Sequence, residues 1–207
     1  MSNSIETDSA HDFMALGDSY YYGVAKSQSY EKASRWYSEA AKRGHAASQT
    51  RLAYCYLKGI GVQQSYAEAA MWFRRAADQG VAVAQYNLGL LYEHGLGLPK
   101  SEGYAVSWFR KAAEQGYSVA QHRLGRCYYV GTGIGVSKEE AVRWFRKAAE
   151  QGFVDSQYCL GHCCEYGIGT EVSLDEAVKW YVRAADGGCE KADSALRSMG
   201  LRKSPGL

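Results

Sequence analysis

The chain has 207 residues, of which 46% are hydrophobic and 22% are charged, proportions typical of a folded globular protein. Its formal net charge of +2 excludes the strongly basic composition typical of nucleic-acid-binding proteins. The first ten residues lack the cationic start and apolar run of a secretory signal, and no stretch reaches the roughly 18 apolar residues of a membrane helix. We therefore expect a cytoplasmic protein that binds neither nucleic acid nor membrane.

The sequence repeats itself every 36 residues. This spacing relates all five tryptophans: Trp36, Trp72, Trp108, Trp144 and Trp180. It also relates five serines, five alanines and five glycines: Ser29, Ser65, Ser101, Ser137 and Ser173; Ala33, Ala69, Ala105, Ala141 and Ala177; Gly44, Gly80, Gly116, Gly152 and Gly188. A fixed period of roughly 20–50 residues is the signature of a stacked repeat array.

Each repeat predicts two helices. In the first helix, Ala84, Leu88 and Tyr92 recur at the spacing of a buried stripe, and Gly95 ends the helix. The second helix follows a serine suited to cap its N-terminus, and a capping box is expected at Ser65–Glu68, Ser137–Glu140 and Ser173–Glu176. Its predicted buried face is Ala69, Trp72, Phe73, Ala76 and Ala77.

The pattern divides the chain into a leader, one repeat domain and a tail. We expect a disordered leader at residues 1–9, a single solenoid at 10–200 and a flexible tail at 201–207. The predicted repeats are residues 10–44, 45–80, 81–116, 117–152 and 153–188, followed by a C-terminal capping helix at 189–200. The fold class is all-α, with five 36-residue helix-turn-helix repeats.

The six cysteines do not form a disulfide framework. Cys55, Cys127 and Cys163 share one repeat position, which Ser19 and Leu91 also fill, so this position is expected to be a small packing slot. Two repeats separate Cys55 from Cys127, a distance beyond the roughly 7 Å limit between Cα atoms for a bridge. Reduced thiols in a reducing compartment are therefore expected.

Three short motifs could carry chemistry, but each has a structural explanation. Ser29 and Lys32 match the Ser-x-x-Lys nucleophile motif, although Ser29 falls on the capping position and the accompanying motifs are missing. Residues 159–164 offer Cys159, His162, Cys163 and Cys164 as metal ligands, but the last two fall on buried positions. The glycines of residues 131–135 suggest a phosphate loop without its strand or its Gly-Lys-Ser/Thr ending. We expect no cofactor, no metal and no catalytic residue.

The repeat resembles the Sel-1-like repeat (SLR) family, a relative of the tetratricopeptide repeat. The motifs that carry the resemblance are Ala84…Leu88-Gly89…Tyr92…Gly95-Leu-Gly97 and Ala105…Trp108-Phe109…Lys111-Ala-Ala113…Gly116. The resemblance implies a right-handed α/α superhelical solenoid whose first helices line a concave groove that docks proteins or peptides. A secreted, cysteine-rich branch has β-lactamase-like activity or binds penicillin. Its paired cysteines are replaced here by Ala77 and Ser48, and by Ala113 and Ala120, so that chemistry is not expected.

The predicted groove consists of first-helix positions that the repeat does not restrict to one residue type. Aromatic, basic and acidic side chains there suit a protein interface, since Tyr and Arg are enriched at interface hot spots. The predicted partner-binding residues are Tyr22, Tyr54, Lys58, Tyr86, Glu93, His94, His122, Arg126, Tyr129, Tyr158, His162, Glu165 and Tyr166.

These observations favour a non-catalytic scaffold or adaptor that holds a protein or peptide partner in the groove, as a monomer or weak homodimer. One alternative is an inhibitor or immunity protein that occludes a toxin or an enzyme. The other is a β-lactamase-like hydrolase, which depends only on Ser29 and Lys32.

Overall fold

A computed structural model describes residues 9–202, and all the regular secondary structure in that range is α-helical. The described residues divide into two compact units, 9–101 and 102–202. The first contains five helices: α1 (Ala10–Tyr22), α2 (Tyr30–Lys42), α3 (Ala46–Lys58), α4 (Tyr66–Asp78) and α5 (Ala82–His94). The second contains six: α6 (Glu102–Glu114), α7 (Ser118–Val130), α8 (Lys138–Glu150), α9 (Val154–Tyr166), α10 (Leu174–Asp186) and α11 (Glu190–Ser198).

The all-α class and the alternation of first and second helices are confirmed, and α11 occupies the place of the predicted capping helix. The leader predicted at residues 1–9 and the tail predicted at 201–207 lie almost entirely outside the described residues. The single domain predicted over residues 10–200 and its repeat boundaries stay predictions.

The predicted stripe of the first helices is buried. Ala84 and Leu88 are fully buried, and the half-buried Tyr92 completes the stripe. The second helix of the preceding repeat, α4, buries the residues expected of it: Ala69, Trp72, Phe73, Ala76 and Ala77. Each helix thus offers one apolar face, and each unit buries these faces by packing successive helices together.

The repeated serine caps the second helices α2, α4, α8 and α10, but the reciprocal half of the predicted capping box is wrong. The Ser65 hydroxyl accepts a hydrogen bond from the Glu68 backbone N–H over 3.3 Å. The backbone N–H of Ser65 donates to the Tyr56 carbonyl on the first helix over 3.0 Å, and not to the Glu68 carboxylate as a capping box requires. Equivalent backbone bonds recur in the other repeats at Ser29, Ser101, Ser137 and Ser173. The serine therefore joins the two helices as well as capping one.

A glycine on the first helix allows an aromatic ring of the second to lie against its backbone. A Cβ atom on Gly161 would lie 2.8 Å from Cδ1 of Tyr181, and one on Gly125 would lie 2.7 Å from Cδ1 of Phe145. Any larger residue would push the ring away. This contact explains the Leu-Gly pairs of the sequence as a requirement of close helix packing.

The loop glycines make a second close approach, and the first repeat holds an alanine at their position. Gly61 has φ +69°, and its Cβ would lie 2.0 Å from the Tyr30 carbonyl oxygen at the start of α2. Both the backbone conformation and the space therefore require glycine there. The equivalent position in the first repeat is Ala25, which keeps a positive φ of 59°.

A glutamine joins successive repeats within each unit. The buried Gln121 donates from Nε2 to the Ala113 carbonyl over 3.1 Å, and its Oε1 accepts from Gln151 over 2.7 Å. In the first unit, Gln49 makes the same two bonds with Ala41 and Gln79. These glutamines were not predicted from the sequence, although the spacing of 36 relates Gln49 to Gln121 and Gln79 to Gln151.

Candidate functional site

The first unit holds six of the predicted binding residues, and several of them bond within the protein. Tyr22 is 55% exposed, and its hydroxyl accepts from Arg51 over 3.1 Å. The Tyr54 hydroxyl accepts from Asn87 over 2.7 Å, so part of this side chain stabilises the stack. Glu93 lies 3.7 Å from the exposed His94, whereas Lys58 is exposed and Tyr86 is half-buried.

The second unit brings five predicted residues together around one depression of about 740 Å³. They come from the faces of α7 and α9 predicted to bind a partner: His122, Arg126, Tyr129, Tyr158 and His162. The start of α11 completes the border. Glu165 and Tyr166, predicted with this group, do not line the depression.

The floor of the depression is aromatic and uncharged. Phe145 and Cys163 are 2% and 1% exposed, and Cys159 on α9, which also lines the depression, is half-buried. Burial raises the pKa of the Cys159 thiol to about 11 and that of Cys163 to about 12. Both thiols are therefore protonated at neutral pH and act as small apolar groups rather than nucleophiles.

His122 contributes an aromatic ring without a charge. Its Nδ1 lies 2.8 Å from the hydroxyl of the buried Ser156 on α9, and its ring centroid lies 5.0 Å from that of Phe153. Burial is the main cause that lowers the pKa of His122 to about 4, with smaller contributions from Arg126 and Arg123 against an opposing one from Asp155. The imidazole is therefore neutral at physiological pH.

Charged side chains of both signs form the border. Arg126 on α7 is exposed, Asp155 lies in the first turn of α9, and Glu190 and Lys191 begin α11. Neither Arg126 nor Lys191 forms a side-chain ion pair or hydrogen bond with any part of residues 9–202. Sequence reasoning missed Asp155, Glu190 and Lys191 because they lie at helix starts, away from the face defined by the repeat.

Glu165 contacts the protein's own core. Its Oε2 accepts a hydrogen bond from the hydroxyl of the buried Tyr181 over 2.6 Å, and the nearby carboxylate raises the pKa of the exposed Tyr166. In the first repeat, Tyr37 donates in the same way to Asp18 over 2.7 Å. The sequence carried a signal for this pairing, because the aromatic position holds Tyr only in these two repeats and Phe in the other three.

The motifs considered for catalysis serve the architecture. Ser29 caps α2, its hydroxyl accepting from the Lys32 backbone N–H over 3.3 Å. Cys163 and Cys164 are buried as predicted, and among the described residues no group of three or more His, Cys, Asp or Glu side chains could hold a metal ion. Gly131 ends α7 in the left-handed conformation, its N–H bonded to the Cys127 carbonyl.

None of the helices within residues 9–202 combines the length and the apolar character needed to cross a bilayer. The depression is suited to binding, because neutral aromatic and apolar groups form its floor and accessible charged side chains form its border.

Comparisons with solved structures place this geometry in a known fold. A protective antigen of uropathogenic Escherichia coli strains that displays an SLR fold is 35% identical over 94% of this chain and 42% of its own, with a TM-score of 0.91. A Sel1 repeat protein from Oxalobacter formigenes is 33% identical over 92% of this chain and 55% of its own, with a TM-score of 0.84. This chain therefore spans only about half the length of these two structures.

A more distant likeness shows the fold alone. An immunity protein from Pseudomonas aeruginosa is 24% identical over 89% of this chain and 72% of its own, with a TM-score of 0.53. A comparison with curated proteins gives no match.

The sequence model of the Sel1 repeat matches five consecutive segments: residues 14–45, 46–81, 82–117, 118–153 and 154–189. This confirms the family resemblance and, with the SLR-fold neighbours, the α/α solenoid class. Sel1 repeat proteins generally mediate protein–protein interactions on a scaffold that is generally non-catalytic. Five matches that together span residues 14–189 show that this chain belongs to the Sel1 repeat family.

Proposed function

We propose that this protein is a non-catalytic scaffold or adaptor that binds a protein or peptide partner in the depression bordered by α7, α9 and the start of α11. The observation that carries the proposal is the collection of five variable first-helix residues around one depression of about 740 Å³. That volume lies within the range of roughly 300–1,000 Å³ typical of binding pockets. The repeat architecture does not require these side chains, since equivalent positions hold other residue types.

Tyr158 is well placed to act as an anchor for the partner. It is half-buried, its ring centroid lies 5.8 Å from that of Tyr181, and this packing restricts its motion before a partner arrives. Large, restrained aromatic side chains contribute strongly to binding because little conformational entropy is lost. Arg126 adds an exposed guanidinium on the neighbouring helix.

The test is site-specific cross-linking in the native host. A photo-cross-linking amino acid at Tyr158 should capture a protein, and Arg126→Ala with His162→Ala should abolish recovery of that protein while the helical circular-dichroism signal is retained. The matched control places the photo-cross-linking amino acid at Tyr104, which is 62% exposed on α6, and replaces Arg143, which is exposed on α8, with Ala. Equal capture from Tyr104 and Tyr158, or recovery unchanged in the Arg126/His162 variant, would reject this site.

The thiols support a reducing compartment for this function. All six cysteines are free, and four are buried. The inhibitor or immunity role predicted as an alternative gains no separate support from the Pseudomonas structure, because that likeness shows the fold alone. Identifying the cross-linked protein as a toxin or an enzyme whose activity falls on binding would favour that role over a general adaptor.

A further inference from the structure

Two cations stand out on the border of the depression because their repeat positions hold no other lysine or arginine. Arg126 is equivalent to Asp18, Tyr54, Leu90 and His162 in the other repeats. Lys191 is equivalent to His11, Ala47, Val83, Val119 and Asp155. Arginine and lysine at these positions are therefore specific to this end of the protein and are not part of the repeat.

The two acids on the same border have a role within their own helices. Asp155 lies in the first turn of α9, and Glu190 lies in the first turn of α11. Carboxylates at these positions stabilise the helix through its partial positive charge at the N-terminus. The helix N-termini therefore explain both acids, and no ligand is needed to account for them.

The cations have no such explanation. Lys191 lies in the first turn of α11, where a positive charge is unfavourable, and Arg126 lies within α7, away from the C-terminal turn that would favour it. Both side chains are exposed, and neither has a side-chain ion pair or hydrogen bond within residues 9–202. Asp155 and Glu190 are exposed as well, but they already stabilise their own helices, whereas the two cations gain a favourable partner only from a ligand.

The floor between these cations selects apolar groups. His122 is neutral, the thiols of Cys159 and Cys163 are protonated, and Phe145 lies beneath them. An uncharged aromatic floor favours aromatic or aliphatic side chains and disfavours a small inorganic anion, which would lose hydration without hydrogen bonds in return.

We propose that the depression binds a peptide segment in which acidic side chains alternate with apolar ones, the carboxylates pairing with Arg126 and Lys191 and the apolar side chains covering Tyr158 and Phe145. This inference rests on the proposed function and specifies the chemistry of the partner. The charge complementarity is provided by Asp or Glu side chains of the segment. Arg126 can pair with such a carboxylate in a bidentate geometry, which adds direction to the attraction.

The test uses the full chain and three short fluorescent peptides, acetylated and amidated so that their termini carry no charge. In the first, Phe alternates with Glu; in the second, Phe alternates with Lys; in the third, Ser alternates with Glu. We expect the Phe–Glu peptide to bind most tightly by fluorescence anisotropy. Arg126→Gln with Lys191→Gln should weaken it about tenfold, because two partly desolvated charge pairs are lost.

The matched control is Arg35→Gln with Lys42→Gln, which removes two exposed cations from α2 in the other unit. Its affinity for the Phe–Glu peptide should stay within twofold of the wild type. Because both double variants change the net charge equally, a general electrostatic effect would weaken both alike and would overturn the inference.

Three other outcomes would overturn the acidic-peptide inference. Tighter binding of the Phe–Lys peptide, weakened by Asp155→Asn with Glu190→Gln, would overturn the acidic assignment and leave the depression as a peptide site. Binding of none of the peptides would overturn the acidic-peptide inference, whereas the cross-linking at Tyr158 tests the proposed function independently. Displacement of the Phe–Glu peptide by a single-stranded oligonucleotide at equal charge concentration would assign the cations to general polyanion binding and reject the inference.

Discussion

Replacing Tyr181 with Phe tests whether the last repeat depends on a tyrosine–carboxylate bond that the middle repeats lack. The Tyr181 ring is 1% exposed, and its hydroxyl donates to Glu165 Oε2 over 2.6 Å. Phe73, Phe109 and Phe145 fill the equivalent position in other repeats, so a phenyl ring fits without rearranging the helices. The change should therefore remove the hydrogen bond and little else.

The expected loss of stability follows from the partner and its exposure. A hydrogen bond to a charged group contributes about 1.5–3 kcal/mol to the free energy of unfolding. Glu165 is half-buried, so water replaces part of what its carboxylate loses, and we expect a decrease of about 1–2 kcal/mol. In a chain of this size each kcal/mol lowers the melting temperature by about 2–4 °C.

A double-mutant cycle separates this bond from packing. Glu165→Leu alone should also destabilise the protein, because it leaves the buried Tyr181 hydroxyl without an acceptor. The double variant recreates the pair found in the second repeat, Leu57 and Phe73, and should lose less than the sum of the single changes by about 1 kcal/mol.

Urea denaturation followed by tryptophan fluorescence measures these differences, since Trp180 is buried next to Tyr181. Tyr104→Phe is the control: its ring is 62% exposed, and its effect should stay within about 0.5 kcal/mol. A coupling energy of zero, or a Tyr181→Phe variant as stable as the wild type, would refute the stabilising role of the bond.

Four further substitutions test other features of the fold. Gly61→Ala should lower the free energy of unfolding by about 2–4 kcal/mol in urea, because its Cβ would meet the α2 backbone at a positive φ, whereas Ala25→Gly should gain up to about 1 kcal/mol. Gln121→Ala should cost about 1–3 kcal/mol by the same measurement, since it removes two hydrogen bonds, the one to the Ala113 carbonyl and the one from Gln151. The pKa of His122 in the folded protein lies below its ordinary 6.5, so the stability gained from its neutral form is present above pH 6.5 and is lost as the pH falls towards about 4. His122→Gln should therefore reduce the pH dependence of the free energy of unfolding in this window, measured by urea titrations. An unchanged pH dependence would contradict this expectation.

The helices could be predicted because five copies of each position reveal what the architecture demands. Trp72, Ala76 and Gly80 each recur in all five repeats, so these residues reflect the repeat architecture and not chance or a local function. What escaped prediction were bonds between a side chain or N–H and a distant carbonyl. The bond from the Ser65 N–H to Tyr56 was missed because a capping box satisfies the same donor locally.

The site was only partly predictable for a different reason. His122, Arg126 and Tyr158 lie on the first-helix face that the repeat leaves variable, so the pattern pointed to them. Glu165 lies on the same face, yet it turns to the core because Tyr181 offers a hydroxyl that no Phe-containing repeat has. Lys191 could not be selected from periodicity, since only the packing of α11 beside α9 brings it to the depression.

The hydrogen bonds of the repeated glutamine, here called the glutamine joint, affect how such a protein can gain or lose repeats. Gln121 contacts the preceding repeat through a main-chain carbonyl, that of Ala113, and it bonds within its own repeat to another glutamine, Gln151. A carbonyl is the same whatever side chain its residue bears, so the joint demands nothing specific of the preceding copy. A duplicated or deleted 36-residue segment would rejoin its neighbours through identical bonds, which lets unequal recombination lengthen or shorten the array while the variable faces diverge.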